Sequence, residues 1–173
     1  GPPQGHASVH GLVPRSHFVM RSGGGRAGSL ERSCPVTGGP VAGNIVDASP
    51  EQFEAAFKNH LVCNHILATA LLPGMKKSNY GRIINIISTS VKIPLRGLGV
   101  SNTIRGAVAN WSKTMANELA PFGITVNNVL PGATNTERLQ EIVKGKSQKT
   151  GRTTEDVEQE MMEEIPMRRF ADP

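Results

Sequence analysis

The side chains of His60, Ser88 and Arg105 are of types that a catalytic or binding site could use. The imidazole of His60 has an ordinary pKa of about 6.5 and is a candidate acid or base, with a packed, hydrogen-bonded helix histidine as the alternative. Ser88 follows an apolar run, so its hydroxyl could donate to a substrate carbonyl or could cap the next turn. Arg105 offers a positive charge and a fork of donors that could bind a ligand, or could be a solvated helix arginine. The surrounding elements decide between these alternatives.

A long amphipathic helix is predicted around His60. Ser49 supplies an N-cap oxygen and Pro50 suits the first helical position. Residues at steps of three and four then form one stripe, which predicts a helix over residues 51–75 that ends around Gly74. The stripe consists of Phe53, Ala56, Phe57, His60, Leu61, Asn64, Leu67 and Leu71.

Ser88 and Arg105 belong to the elements that follow this helix. Residues 81–88 are a β-branched apolar run, too continuous for a half-exposed strand, which predicts a buried parallel strand. A second helix is predicted over residues 101–119 and a second strand over residues 124–130. Alternating helices and strands of these lengths favour an α/β, doubly wound sheet, with Ser88 at its carboxyl edge, where ligands bind.

The two ends of the chain differ in composition. Residues 137–170 are strongly charged and predict helices, with a polar break at residues 144–151 and an acidic helix over residues 155–164. Residues 1–37 are rich in Gly, Ser, Pro and Arg and have no sustained period, so they are interpreted as a disordered or tag-like extension before a domain over residues 38–173. Within the extension, the letters LVPRS resemble a thrombin-type cleavage site, or match one by chance.

Charge and cysteine content argue against several classes of function. The net charge is +5, of which residues 1–40 (four Arg, one Glu) carry +3 and residues 41–173 (fifteen Lys or Arg, thirteen Asp or Glu) carry +2. The nearly balanced charge of residues 41–173 argues against a nucleic-acid partner. Cys34 and Cys63 lack the spacing of a disulfide framework or zinc site, and the scattered histidines of the tail predict no metal site.

The hydropathy pattern argues against a membrane protein. The longest apolar stretch, residues 67–73, is far shorter than the roughly 20 residues that cross a bilayer. Polar residues and prolines interrupt the N-terminal region, which therefore does not resemble a signal peptide. A cytoplasmic location is expected.

Four segments, in order, resemble successive blocks of the short-chain dehydrogenase/reductase family. They are residues 70–75 (ALLPGM), 81–88 (GRIINIIS), 117–127 (NELAPFGITVN) and 131–136 (PGATNT). The resemblance covers about residues 38–173. It implies a Rossmann-like doubly wound parallel sheet and an NAD(P)-dependent oxidoreductase that transfers hydride to or from a small carbonyl or alcohol substrate. The implied cofactor is NAD or NADP.

The family's catalytic tetrad is altered in this chain. By motif position, Ser88 matches the family serine, whereas Ser101 stands at the tyrosine, Arg105 at the lysine and His60 at the asparagine. In the family the tyrosine exchanges the proton, and a nearby ammonium lowers its pKa from about 10. A serine hydroxyl is a weaker acid and is shorter, so the inherited proton transfer is in doubt. A catalytically inactive binding or dimerisation module is therefore the alternative function.

The resemblance places the cofactor at the carboxyl edge of the second strand. It assigns Pro131, Gly132, Thr134 and Thr136 to the nicotinamide end, and Arg105 to ribose hydroxyls or a phosphate. The family's glycine-rich turn, TGxxxGxG, which receives the dinucleotide phosphates, does not occur in this sequence. The fold is accordingly expected to be incomplete, without the N-terminal nucleotide-binding strands and the last strand, as in a fragment of such an enzyme.

An incomplete sheet also predicts self-association. A strand edge without its usual neighbour invites pairing with another chain. The long helices over residues 51–75 and 101–119 match those that family members pack against a twin. A homo-oligomer through these two helices is therefore expected.

Overall fold

A four-stranded mixed sheet carries the fold. The computed structural model describes residues 39–172 and, earlier in the chain, the backbone of residues 16–22 and 32–36. The sheet has the order β2-β1-β3-β4, in which β3 and β4 are parallel and β1 is antiparallel to both of its neighbours. The strands are β1 (Ser16–Ser22), β2 (Arg32–Val36), β3 (Gly81–Ile86) and β4 (Ile124–Val129).

The parallel pair β3–β4 buries one face, as the β-branched runs predict. Ile83 pairs with Val126 in the register of the two strands, and both side chains are buried. On the other face of β4, Thr125 and Asn127 are exposed. β3 alternates between buried and half-buried residues, so it is less enclosed than its continuous apolar run predicts.

Two helical segments pack on the buried face. The first runs through α1 (Pro50–Phe57), a π turn (Lys58–Val62) and α2 (Cys63–Lys77), and the second is α3 (Gly99–Leu119). Burying a large apolar side chain stabilises a fold by about 1.5–3 kcal/mol, so this core fixes both helices on the sheet. The buried residues of the core are Ala68, Met75, Ile83, Met115, Leu119, Ile124 and Val126.

The first helical segment differs from the sequence prediction in two ways. It extends to Lys77 rather than ending around Gly74, and Pro73 lies inside it. Met75 explains the extension, because its side chain is fully buried against the core and holds the last turn on the sheet. The π turn was not predicted, since a stripe of apolar residues does not reveal one widened turn.

Two charged helices follow β4. They are α4 (Glu137–Thr150) and α5 (Thr154–Glu163). The break between them lies after Gly151, whose φ of 70° ends α4, so the predicted break at residues 144–151 was placed too early. Lys146 of α4 forms a 2.8 Å ion pair with Glu160 of α5, which joins the two helices.

β1 and β2 occupy part of the segment for which the sequence predicts disorder. Residues 18–22 of β1 pair with residues 81–85 of β3, so β3 has a neighbour on both sides and its predicted open edge is covered. The other parts of the predicted extension, including His6, His10 and most of the LVPRS stretch, lie outside the described residues. In the described part of the chain, no helix is both long and apolar enough to span a membrane.

Candidate functional site at the carboxyl edge

The loops that follow β3 and β4 are held together by backbone hydrogen bonds. The Ile87 N–H donates to the Val129 carbonyl at 2.9 Å, and the Thr89 N–H donates to the Pro131 carbonyl at 3.2 Å. These bonds place Ser88 beside the start of the loop over residues 131–136. Two of the regions that the sequence assigns to the site therefore meet at one edge of the sheet.

Ser88 caps the short 3₁₀ turn that follows β3. Its hydroxyl oxygen accepts from the Ser90 N–H at 3.0 Å, and its backbone is extended. A serine that accepts through its oxygen keeps its own hydrogen available for donation. The cap and the predicted donation to a substrate oxygen are thus compatible.

Arg105 reaches back from α3 to the end of β3. Its Nη1 donates to the Ile86 carbonyl at 3.3 Å, and the side chain is partly buried. Burial lowers the pKa of Arg105 below its ordinary value. The ion pairs among the described residues all involve α4 or α5, and none involves Arg105. Arg105 is therefore a partly buried, unneutralised cation and not a solvated helix arginine.

His60 lies in the π turn and is only 3% exposed. Burial, and secondarily the charge of Arg105, lowers the pKa of His60 to about 4, so the imidazole is neutral at pH 7. Its Nδ1 has no hydrogen-bond partner among the described residues. His60 is packed, as one interpretation predicts, but Nδ1 lacks the hydrogen bond that this interpretation also expects.

Ser101 lies one helical turn before Arg105 and therefore on the same side of α3. Its side chain is half-buried, and its hydroxyl has no hydrogen-bond partner in the described part of the chain. A hydroxyl one carbon from the backbone extends much less far than a phenol. Ser101 adds a free donor beside Arg105 but does not replace a long proton-exchanging side chain.

Further buried polar atoms have no hydrogen-bond partner in the described part of the chain. They include Asn64 Oδ1, Asn85 Oδ1 and Ser90 Oγ, each on a side chain at most 7% exposed. Buried polar atoms in native structures are nearly all hydrogen-bonded, and an exception calls for a missing partner such as a water or ligand. The prediction of site residues missed these atoms, although one signal was present: Asn85 interrupts the run of isoleucines over residues 83–87.

Asn85 ties the site to the core of the fold. Its Nδ2 donates to Ser112 Oγ on α3 at 2.8 Å and lies 3.3 Å from Asn128 Oδ1 on β4. Ser112 in turn donates to the Val108 carbonyl at 2.8 Å. This network fixes α3, and with it Arg105, relative to both parallel strands.

The residues predicted for the nicotinamide end lie in the loop between β4 and α4. The Pro131 carbonyl already accepts a hydrogen bond from the Thr89 N–H. The Thr136 hydroxyl accepts one from the Leu139 N–H at 3.4 Å. The Thr134 hydroxyl donates to the Gly132 carbonyl at 3.4 Å, and Gly132 is exposed. Pro131 is therefore the residue of this group that the structure links directly to the loop of Ser88.

Comparison with known proteins identifies the family. The model of the short chain dehydrogenase family matches residues 34–147. The chain belongs to this family. The match begins a few residues before the predicted domain boundary at residue 38 and includes His60, Ser88, Ser101 and Arg105.

Relatives and solved structures agree with this assignment. D-beta-hydroxybutyrate dehydrogenase of Cupriavidus necator is 30% identical over 130 residues, which are 75% of this chain and 50% of that protein. The structure of NAD+-bound xylitol dehydrogenase matches with a TM-score of 0.71 at 25% identity, over 79% of this chain and 55% of the other. L-sorbose reductase of Gluconobacter frateurii, solved with NADPH and L-sorbose, matches with a TM-score of 0.69 at 28% identity, over 79% and 52%.

The family assignment confirms the Rossmann-like fold class predicted from the sequence. The structure shows part of that fold, with the parallel pair β3–β4 and its covering helices. The chain spans about half the length of the first relatives that it matches.

Proposed function

We propose that this chain is the nicotinamide- and substrate-binding part of an NAD(P)-dependent short-chain oxidoreductase that acts on a small carbonyl or alcohol. The observation that carries the proposal is the convergence of Arg105, Ser88 and the loop over residues 131–136 at the carboxyl edge of β3–β4. Open α/β sheets bind their ligands at this edge. Relatives named as dehydrogenases, and structures named as binding NAD+ or NADPH, support the same chemistry.

The cofactor contacts follow from the donors that the fold leaves unused. Arg105 would hold ribose hydroxyls or a phosphate, and Gly132 and Thr134 would lie along the nicotinamide, next to Pro131. Arg105 has no ion pair among the described residues, and such a cation fits a polar ligand here. When bound, a nicotinamide supplies or accepts the hydride.

Proton transfer is the step that this chain supports least. Ser88 can donate a hydrogen bond to the reacting oxygen, and Arg105 can stabilise negative charge on it. With a pKa of about 4, His60 is neutral at pH 7 and is a weak base there. Ser101 supplies a short hydroxyl in place of a phenol. This substitution favours the second candidate function, a catalytically inactive binding or dimerisation module of the same fold.

Calorimetric titration with NADH and NADPH, followed by a hydride-transfer screen, tests the proposal. We expect one dinucleotide to bind, and we expect turnover to fall in Ser88→Ala but not in Thr153→Ala, which removes a similar helix cap from α5. Binding without turnover by any carbonyl or alcohol would favour the inactive module. No binding of either dinucleotide would remove the oxidoreductase proposal for this chain.

Self-association through the two long helical segments belongs to the same proposal. Ile66 on α2 is 60% exposed and Phe57 on α1 is 43% exposed, which leaves apolar surface for a twin chain. Light scattering coupled to size exclusion should give a mass that is a multiple of 18.5 kDa. Ile66→Glu should shift the protein to the monomer mass, and a monomeric wild type would contradict this part of the proposal. A cytoplasmic location is proposed with it and can be checked by cell fractionation.

A further inference from the structure

Two loops near the start of α3, over residues 40–49 and 88–98, expose five aliphatic side chains. Their exposed fractions run from 43% for Leu95 to 86% for Val46. Aliphatic side chains that are exposed singly are ordinary, whereas a group of them marks a contact with a protein or a membrane. We call this group the apolar loop surface, and it consists of Val41, Ile45, Val46, Ile93 and Leu95.

Backbone hydrogen bonds hold the two loops side by side. The Gly43 N–H donates to the Gly97 carbonyl at 2.7 Å, and the Gly99 N–H donates to the Gly43 carbonyl at 3.1 Å. Ile45 lies directly against Gly99, because a Cβ added at Gly99 would be 2.5 Å from the Ile45 Cβ. The loops are therefore fixed to each other, and their aliphatic side chains belong to one surface.

Basic residues flank the aliphatic part of the second loop. Residues 92–96 have the sequence KIPLR, so Lys92 and Arg96 enclose Ile93, Pro94 and Leu95. All five residues are exposed, and neither basic side chain forms an ion pair within the described ranges. Cations on both sides of apolar residues suit an anionic lipid surface, which attracts the charges and accepts the apolar side chains between them.

The charge and shape of the two loops favour a lipid surface over a folded partner. Together the loops contain two basic residues and one acidic residue, Asp47, which accepts a hydrogen bond from Asn44 Nδ2 at 3.1 Å. Val46 and Ile93 are 86% and 74% exposed, so their side chains project from the loops and do not line a groove. A fluid lipid surface accepts projecting side chains, whereas a folded partner needs a complementary, tightly packed hollow for them.

We infer that the apolar loop surface, with Lys92 and Arg96, binds peripherally to an anionic lipid membrane. The aliphatic side chains would enter the boundary between the headgroups and the acyl chains, and the two cations would contact headgroup phosphates. None of these residues is assigned to the cofactor or to hydride transfer, so membrane binding does not depend on the proposed function.

Flotation of the 173-residue chain with lipid vesicles on a density gradient tests this inference, because self-associated protein without lipid does not float. One set of vesicles contains phosphatidylcholine alone, and the other contains phosphatidylcholine with phosphatidylserine. Each basic residue near an anionic surface contributes about fivefold in affinity, so binding to phosphatidylcholine alone should be about 25-fold weaker. Raised salt should weaken binding to the anionic vesicles, because it screens the two cations.

Substitutions in the second loop separate the apolar contribution from the charged one. Ile93→Glu should weaken binding to anionic vesicles by at least about tenfold, because it removes an inserted aliphatic side chain. Met167→Glu is its matched control, since it places the same charge at a position that is 70% exposed and lies outside both loops. Lys92→Gln should weaken binding by about fivefold. Lys77→Gln, which removes an exposed charge at the end of α2, should leave binding unchanged.

The outcomes of the flotation experiment are distinct. If Ile93→Glu does not fold, as judged by circular dichroism, Val46→Glu takes its place, because Val46 is 86% exposed. Binding that depends on phosphatidylserine, on the aliphatic side chain and on Lys92, but not on Met167 or Lys77, supports the inference. Absence of the wild type from both vesicle fractions overturns it and leaves a protein as the partner of this surface. Equal binding to both vesicle types, or equal losses in the loop variants and their controls, also overturns it.

Discussion

The amino and carboxyl ends of the β3–β4 pair differ in how completely their polar groups are bonded. At the amino end, Arg82 donates to the Gly123 carbonyl at 3.0 Å and its guanidinium lies 4.3 Å from the centre of the Tyr80 ring. At the carboxyl end, Arg105 donates one long bond, and among the described residues it has no ion pair while Asn85 Oδ1 and Ser90 Oγ have no hydrogen-bond partner. Arg82 at the amino end of this strand pair is thus well supplied with contacts, whereas the polar groups named at its carboxyl end lack bonding partners among the described residues.

This difference separates stability from ligand binding along one strand. Tight packing and paired donors at the amino end lower the free energy of the folded chain. Unpaired buried groups at the carboxyl end raise it unless a ligand supplies the missing bonds. Substitutions at the amino end should therefore change the free energy of unfolding more than ligand binding. Substitutions at the carboxyl end should change ligand binding or the pH dependence of stability more than the free energy of unfolding at neutral pH.

The largest effect is expected from Met75→Ala near the amino end. Met75 is fully buried in the core between α2 and the sheet, so truncation leaves a cavity and should lower the free energy of unfolding by about 2–5 kcal/mol. Urea unfolding followed by circular dichroism measures this loss. Met167→Ala, at a position that is 70% exposed, is the control and should change stability by less than about 0.5 kcal/mol. Equal losses in both variants would contradict the packing described for Met75.

A second effect at the amino end is expected from Gly123→Ala. Gly123 has a φ of 65°, and an added Cβ would lie 2.4 Å from the Asn79 carbonyl oxygen. Strain and overlap together should destabilise the chain by about 2–4 kcal/mol. Gly151→Ala is the control, because its φ of 70° is similar while nothing lies within 4 Å of the new Cβ. Its cost should be about 1 kcal/mol, and a cost equal to that of Gly123→Ala would show that overlap with Asn79 is unimportant.

At the carboxyl end, His60 should make stability depend on pH. Its pKa is about 4 in the folded chain, below the ordinary 6.5, so the unfolded chain takes up the proton first as the pH falls. The stabilisation is complete above about pH 6.5 and is lost towards pH 4. Each pKa unit corresponds to about 1.4 kcal/mol, and relaxation with water entry offsets part of it, so the His60 contribution should be on the order of 1–2 kcal/mol.

The variant His60→Gln tests this pH dependence. Urea midpoints measured between pH 4 and pH 7 should vary less in His60→Gln than in the wild type. Met167→Ala, at an exposed position without a titrating side chain, should keep the wild-type profile. A profile as steep in His60→Gln as in the wild type would contradict the role given to His60.

The smallest effect on stability is expected from Ser88→Ala. Loss of the cap on the Ser90 N–H should cost about 0.5–1 kcal/mol. Thr153→Ala removes a similar bond, to the Asp156 N–H at 3.1 Å, and should cost about the same. Thermal unfolding compares the two losses. A much larger loss in Ser88→Ala would mean that Ser88 also supports the loop after β3, and would weaken its use as a probe of the site.

The sequence predicted the elements whose pattern is local and strongly periodic. The apolar stripe gave the helix around His60, and the β-branched runs gave β3 and β4 within one or two residues of their ends. β1 and β2 could not be predicted, because their segment has no sustained alternation and because β1, which joins β2 to the sheet, pairs with β3 about sixty residues away in the sequence. The structure of this segment therefore depends on pairing with a distant strand more than on its local composition.

The candidate site could be predicted only in part. Motif positions indicated Ser88, Ser101, Arg105 and His60, and the structure links Arg105 to the strand end before Ser88 and to His60 through its charge. Those positions left open whether Ser88 caps the next turn, and they could not show that Thr136 caps α4 or that Arg105 has no ion pair among the described residues. Such properties depend on which groups three-dimensional packing brings within hydrogen-bond distance.

The π turn at Lys58–Val62 determines which side of the helical segment around His60 faces the core. Ala56, His60, Asn64 and Ala68 are buried at a strict spacing of four residues. A regular α-helix turns about 100° per residue, so each such step would rotate the buried side about 40° away from the core. One widened turn reduces this rotation, so the imidazole of His60 and the buried side of α2 face the same direction. Deleting a single residue from the turn should therefore rotate His60 out of the site while leaving the length of α2 nearly unchanged.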